Sequence, residues 1–269
     1  MRSQTLQLSR TFLFFKKYAF ENRKVYTLLY LAISAFLILW LGVYLTFTNP
    51  FLFRERNQVA YYFATLFLSG CLSSGLLFSE LGVKPKAINY LLTPASTGAK
   101  FLCNIFFGVL VFFAVYSAIF YVIDLTAVSI ANRKFDTHWQ VVDIFHLNDF
   151  ENPFFDAPLS DLFYLYFPLQ AGFILASIYF NKHGLFKALV ILGLLWVCFI
   201  LLFLLVHMLL PQGQFLQGID SYEIMDPSGD NKVIVMPYLL ASIVIIFSKF
   251  LLTPLLWLAS YFRLKEKEL

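Results

Sequence analysis

The chain has 269 residues, 60% of them hydrophobic and only 13% charged, with 33 Phe, 15 Tyr and a formal net charge of +4. That charged fraction is about half that of an ordinary soluble domain. It excludes a soluble globular domain and a disordered chain, because apolar runs of about twenty residues recur and must face lipid.

The first segment precedes any long apolar run. Leu8, Phe12, Phe15 and Ala19 fall on one helical face, and Arg10, Lys17, Glu21 and Lys24 on the opposite one. Residues 1–24 therefore read as a helix lying in the membrane interface, although Leu13, Phe14 and Phe20 interrupt its polar face. The alternative is a basic leader that only anchors the first span. No small-residue cleavage site follows a short apolar core, so a removable signal peptide is not expected.

Six runs of bilayer length follow: Val25 to Phe47, Val59 to Leu81, Phe101 to Ile123, Leu162 to Phe180, Leu185 to Leu210 and Val233 to Phe262. Each is expected to be helical, because an open strand leaves backbone groups unpaired in lipid. The fold expected is all-α and polytopic, with a transmembrane domain over 25–262 and a tail over 263–269. The last run is longer than a bilayer needs and contains Lys249 and Pro254.

Six spans put both termini on one side. Fourteen of the twenty Lys and Arg residues lie on that side and five opposite, with Lys249 inside the last span; twelve of the sixteen acids lie opposite. The positive-inside rule then makes both termini cytoplasmic. Of the three outside loops that result, two are long, 124–161 and 211–232, and the link from Asn181 to Gly184 closes a tight helical hairpin. No internal repeat, low-complexity tract or soluble domain is evident.

Within the spans, Ser69, Gly70, Ser73, Ser74 and Gly75 form a small-residue stripe that admits a close helix neighbour. Asn104, Gln170, His207 and Lys249 are polar residues expected in or near the membrane, candidates for a polar pathway. A lysine at mid-bilayer costs roughly 2.5–3.5 kcal/mol on insertion scales. Lys249 should therefore face protein, water or a partner, or else snorkel to the cytoplasmic headgroups.

Chemistry-bearing motifs are absent. There is no G-x-x-x-x-G-K-[ST], H-E-x-x-H, G-x-S-x-G or C-x-x-C, so no ATP site, metalloprotease, hydrolase or thiol-redox reading is supported, and the chain is not expected to be an enzyme. Cys71, Cys103 and Cys198 sit in apolar runs and read as small hydrophobes. Asp136, His138, His146 and Asp149 are metal-ligand types at a spacing that fits no strong template, so no metal is expected. No cofactor on this chain and no nucleic-acid partner are expected.

The loop from Gly82 to Phe101 carries the remaining signal. Pro85 suits the first turn of a short helix that Ala87 to Leu92 continue. Thr93, before Pro94, suits the N-cap of the helix that runs into the third span. A short basic helix held between two membrane helices can pass a push from a cytoplasmic partner to both, or it can simply join them.

The architecture resembles the permease subunits of type-2 ABC exporters: an amphipathic N-terminal helix, six spans, both termini inside, a short helix between spans two and three, and a sizeable outside loop before span six. The stretch "LLTPASTGAKFL", Leu91 to Leu102, is similar to an L-P-A-S-x-x-E-K-F-L segment of bacterial membrane proteins related to those permeases. Pro94, Ala95, Ser96, Lys100, Phe101 and Leu102 match; Thr93 and Ala99 replace Leu and Glu.

The resemblance implies a dimer of permease subunits, homo- or heterodimeric, in a bacterial inner membrane. A separate ABC ATPase subunit would carry ATP and Mg. Lys84, Lys86, Asn89 and Tyr90 would touch that ATPase, while Thr93, Pro94 and Ser96 would fix the angle into span three. A second reading is a non-transporting scaffold or accessory subunit whose outside loop binds an envelope partner. A third, an intramembrane enzyme, has no motif to support it.

Overall fold

The computed structural model describes residues 2–47, 55–82, 84–93, 95–141, 143, 161–180, 184–209, 213–216, 221–225, 231–235, 242–243 and 246–268. Helix α1 runs from Arg2 to Phe47, 46 residues and therefore about 69 Å. The boundary expected at residue 24 is not a helix boundary. No Gly or Pro occurs before Gly42, so nothing breaks the backbone between the polar first turns and the apolar span.

Helix α2 (Glu55–Leu76) ends in a tight turn over Ser79–Gly82. Helix α3 (Lys84–Leu92) follows, with Pro85 in its first turn, where a missing N–H is harmless. Helices α4 (Thr97–Ile105) and α5 (Phe112–Phe135) are joined by a π turn over Phe106–Val111 into one long rod. Helix α6 covers Asp161–Tyr179 and α7 covers Gly184–Leu209. The last helix, α8 (Leu252–Glu268), is preceded by a second π turn over Phe247–Leu251.

Four helical segments among the described residues are long and apolar enough to cross a membrane: Phe12–Val43, Asn57–Leu76, Thr97–Phe135 and Leu162–Tyr179. A shorter apolar stretch, Phe186–Leu195, lies in α7. The expectation of a helical architecture holds for this body of the molecule.

The segment expected as the second outside loop carries more than a loop. Strands β1 (Gly213–Leu216), β2 (Ser221–Met225) and β3 (Asn231–Val235) form an antiparallel meander. Phe215 pairs with Tyr222, and Tyr222 with Ile234. Residues 233–235 therefore belong to a strand, and the last helical run starts later than Val233.

Three apolar clusters hold the helices. Ile33 and Leu37 of α1, Val59, Tyr62, Phe63 and Leu66 of α2, Phe112, Tyr116 and Phe120 of α5 and Tyr166 of α6 form the largest. A second cluster joins Phe78, Leu81, Phe101, Ile105, Val109, Ile174, Ile178 and Leu264, so it ties the turn after α2 to α4, α6 and α8 beneath α3. The third joins Leu41 to Ala127, Val128 and Ala131, at the far end of α1 and α5. Exposed Leu, Ile and Phe cover the outer faces of α1 and α7, the arrangement expected of lipid-facing helices.

The small-residue stripe of α2 faces α6. Gly70 is the point of closest approach: a Cβ built there would lie 2.6 Å from Cε2 and from the hydroxyl oxygen of Tyr166. Ser73, Ser74 and Gly75 are buried beside it. Ser69 and Ser73 donate to their own helix, at Thr65 and Gly70 carbonyls 2.6 and 2.9 Å away, so their hydroxyls are satisfied locally and their size is what matters.

Candidate functional site around helix α3

Helix α3 presents two different faces. Ile88 and Leu92, one turn apart, are 56% and 76% exposed. Ala87 and Tyr90 face the body of the protein and pack on the second cluster, where the Tyr90 ring meets Phe78 edge-on at 6.3 Å between centroids. The backbone of Lys84, Lys86 and Asn89 belongs to α3, but their side chains lie outside the described residues, as does Pro94.

Tyr90 is thus not a free outward contact. Its hydroxyl accepts a hydrogen bond from Asn104 Nδ2 at 3.0 Å, and its ring lies 5.6 Å from the Lys100 ammonium. Lys100 and Asn104 are each only 1% exposed, one helical turn apart on α4. The apolar pair that α3 offers outward, Ile88 and Leu92, was not singled out by sequence. Its signal was the i, i+4 spacing opposite Tyr90.

Asn104 is the centre of the arrangement. Its Oδ1 accepts from the Tyr18 hydroxyl at 2.7 Å, and its Nδ2 donates both to Tyr90 and to the Lys100 carbonyl at 2.9 Å. Tyr18 has one hydroxyl hydrogen, given to Asn104. The 3.2 Å contact between the Tyr18 and Tyr26 hydroxyls therefore requires Tyr26 to donate. Each such bond contributes about 0.5–1.5 kcal/mol net, whereas stranding one buried partner costs about 1–3 kcal/mol. Phe15, Tyr18 and Tyr26 also pack on Phe107, with centroid distances of 6.2, 5.6 and 6.3 Å. Residues 15–26 of α1 are therefore docked on α4 and its π turn.

The junction into α4 is capped by Ser96, not by Thr93 as the Thr-Pro pair suggested. Ser96 is extended (φ −64°, ψ 147°) and its Oγ accepts from Ala99 N at 3.2 Å, the N-cap geometry. Thr93 instead ends α3, its N–H reaching the Tyr90 carbonyl at 3.4 Å.

The other polar candidates separate. Gln170 of α6, 1% exposed, donates from Nε2 to the Gly108 carbonyl at 3.2 Å, and so supports the π turn beneath Asn104. A Cβ at Gly108 would meet the end of the Leu77 side chain, which would have to shift. Lys249 is not at the middle of the bundle, and it does not reach toward the α3 end. Its ammonium sits 5.1 Å from the ring of Tyr164, in the first turn of α6, while Leu264 of α8 packs near the other end of α6 on Ile174 and Ile178. Lys249 lines a cleft of about 430 Å³ together with the aromatic Phe163, Phe167 and Phe250. The side chain of His207 lies outside the described residues.

Asp124 differs from its sequence reading as the start of an outside loop. Helix α5 continues to Phe135, and Asp124 is 3% exposed on its buried stripe with Tyr116, Phe120, Ala127, Val128 and Ala131. It makes no hydrogen bond or ion pair among the described residues. The four-residue periodicity running past the charge was the available signal. Beyond it, Asp136 closes α5 in a left-handed conformation (φ 51°), and Asn132 gathers the following segment: Oδ1 accepts from Trp139 N and Nδ2 donates to Trp139 O, both at 2.9 Å. Asp136 and His138 are exposed, and His146 and Asp149 lie outside the described residues. At the C-terminus, burial and then the Arg263 charge lower the Lys267 ammonium below its ordinary pKa.

Fold and site together define a class: a helical protein with several helices suited to a membrane, and a short helix buckled onto one end of the bundle. No protein-family model, curated protein or solved structure matches the chain.

Proposed function

We propose that this chain is the membrane-spanning permease subunit of an ATP-driven type-2 ABC exporter, with six spans and both termini cytoplasmic. It works as a dimer in a bacterial inner membrane and is driven by a separate ATPase that carries ATP and Mg. The observation that supports the reading is α3: a nine-residue helix between two long apolar helices, with Ile88 and Leu92 outward and Tyr90 anchored inward. A partner pressing on the outward face delivers its displacement to α4 and α1 instead of to a slack loop. Lys16, Lys17, Arg23 and Lys24, all exposed on α1, give that end a positive surface suited to the cytoplasmic side.

The test is purification of the tagged protein in mild detergent, with mass spectrometry and an ATPase assay on what accompanies it. A stoichiometric nucleotide-binding subunit, lost on Ile88→Asp or Lys86→Glu, is the expected result. A second reading, a scaffold or accessory subunit of an envelope complex, draws on the β1–β3 meander and on the Asn132-organised segment that follows α5. It predicts an envelope partner, no ATPase, and no effect of either substitution.

A further inference from the structure

We propose that Asn104 is the positioning residue that makes α1 and α3 move as one unit. Without it, α3 is joined to α4 by residues 93–96 and by the packing of Ala87 and Tyr90, with no hydrogen bond to carry a tilt of α3 to α1. With it, one amide holds both helices. Its oxygen takes the Tyr18 hydrogen at 2.7 Å and its nitrogen gives to the Tyr90 oxygen at 3.0 Å.

The amide cannot turn over to release them cheaply. Both tyrosine hydroxyls adapt to a flipped amide, since each donates or accepts. The Lys100 carbonyl does not: it accepts from Nδ2 at 2.9 Å and would face the amide oxygen after a flip. The three bonds therefore specify one orientation, and Tyr26 extends the donor chain to a second turn of α1 at 3.2 Å. Asn104 at the centre of the clamp is only 1% exposed, while its tyrosine partners are half-buried, so water has little access to the amide as the helices shift. It also lies two residues before the π turn Phe106–Val111, a helical segment with a residue to spare and a common place for motion to be absorbed.

This inference rests on the exporter reading only for what pushes α3; the linkage belongs to this chain alone. The experiment is hydrogen–deuterium exchange on the full chain in lipid nanodiscs, comparing Tyr18→Phe, Tyr90→Phe and Asn104→Leu. Both phenylalanine variants keep their rings and packing, so they decide the matter even where Asn104→Leu does not fold, and exchange in α2 and α6 serves as the internal control.

Tyr18→Phe, on α1, is expected to speed exchange of the α3 amides about threefold or more, and Tyr90→Phe to do the same to residues 14–26 of α1. Asn104→Leu is expected to give both effects and to leave nothing for either tyrosine change to add. Changes confined to the helix that carries each substitution would overturn the proposal. An exporter lacking the clamp still retains its ATPase on purification, so failure here and failure of the functional reading are separately visible.

Discussion

A single added methyl at Gly70 is expected to destabilise the protein, although the same methyl at Gly42 is expected to stabilise it. Both glycines are in helices, so alanine improves intrinsic helix propensity by up to about 1 kcal/mol at each. At Gly42 nothing lies within 4 Å of the new Cβ. At Gly70 the Cβ arrives 2.6 Å from the Tyr166 ring edge and hydroxyl, so Tyr166 must retreat by 0.8 Å to reach the 3.4 Å of ordinary contact. It has little room to do so. Tyr166 is fully buried and its ring is hemmed in by Phe67, Phe113 and Phe167 at 5.8, 6.0 and 5.3 Å. Overpacking of this kind costs about 1–3 kcal/mol. The difference between the two alanine variants cancels the propensity gain and isolates that cost. It is measured by denaturant titration in a fixed detergent, with gel filtration as the check on folding. Adding Tyr166→Phe to Gly70→Ala should recover part of the loss, because one of the two 2.6 Å contacts disappears and the other stays. Equal effects at Gly70 and Gly42 would refute the α2–α6 packing argument.

Three further outcomes follow from the same reasoning. Ser96→Ala should lower stability by about 1 kcal/mol through loss of the α4 cap, and Thr93→Ala by clearly less, read from the same titration. Asn132→Leu should strand both backbone groups of Trp139 and release the segment after α5, seen as faster amide exchange at Thr137 to Gln140 and a loss of about 1–3 kcal/mol. Asp136→Val should cost about 1–2 kcal/mol, because a β-branched residue tolerates φ 51° poorly, whereas Asp136→Gly should not, by thermal melting.

What was legible in the sequence is what local physics dictates. Apolar runs of bilayer length mark the helices, and Pro85 with the periodicity behind it marks α3. What was not legible depends on partners distant along the chain. Asn104 stands out as a polar residue in an apolar run, but its bonds reach residues 86 positions upstream and 14 upstream, a pairing that no local pattern encodes. Tyr90 reads as an outward contact until the fold shows which face of α3 is covered. The cap at Ser96 was obscured because Thr93 is also a capping residue and precedes Pro94. Lys249 reads as a deep charge only while its neighbour, Tyr164 in the first turn of α6, is unknown. The meander was hidden by the opposite error: polar, Pro- and Gly-containing loop composition outweighs the alternation in "SYEIM" and "NKVIV".

In the proposed exporter, α3 receives a push from an ATP-driven partner. The most direct measurement places a photo-crosslinking residue at Ile88 in native membranes, identifies what it captures, and repeats the capture with ATP and with a non-hydrolysable analogue. Crosslinks to a nucleotide-binding subunit are expected, with a yield that changes between nucleotide states. Crosslinks to lipid alone, in every nucleotide state, would contradict the exporter reading.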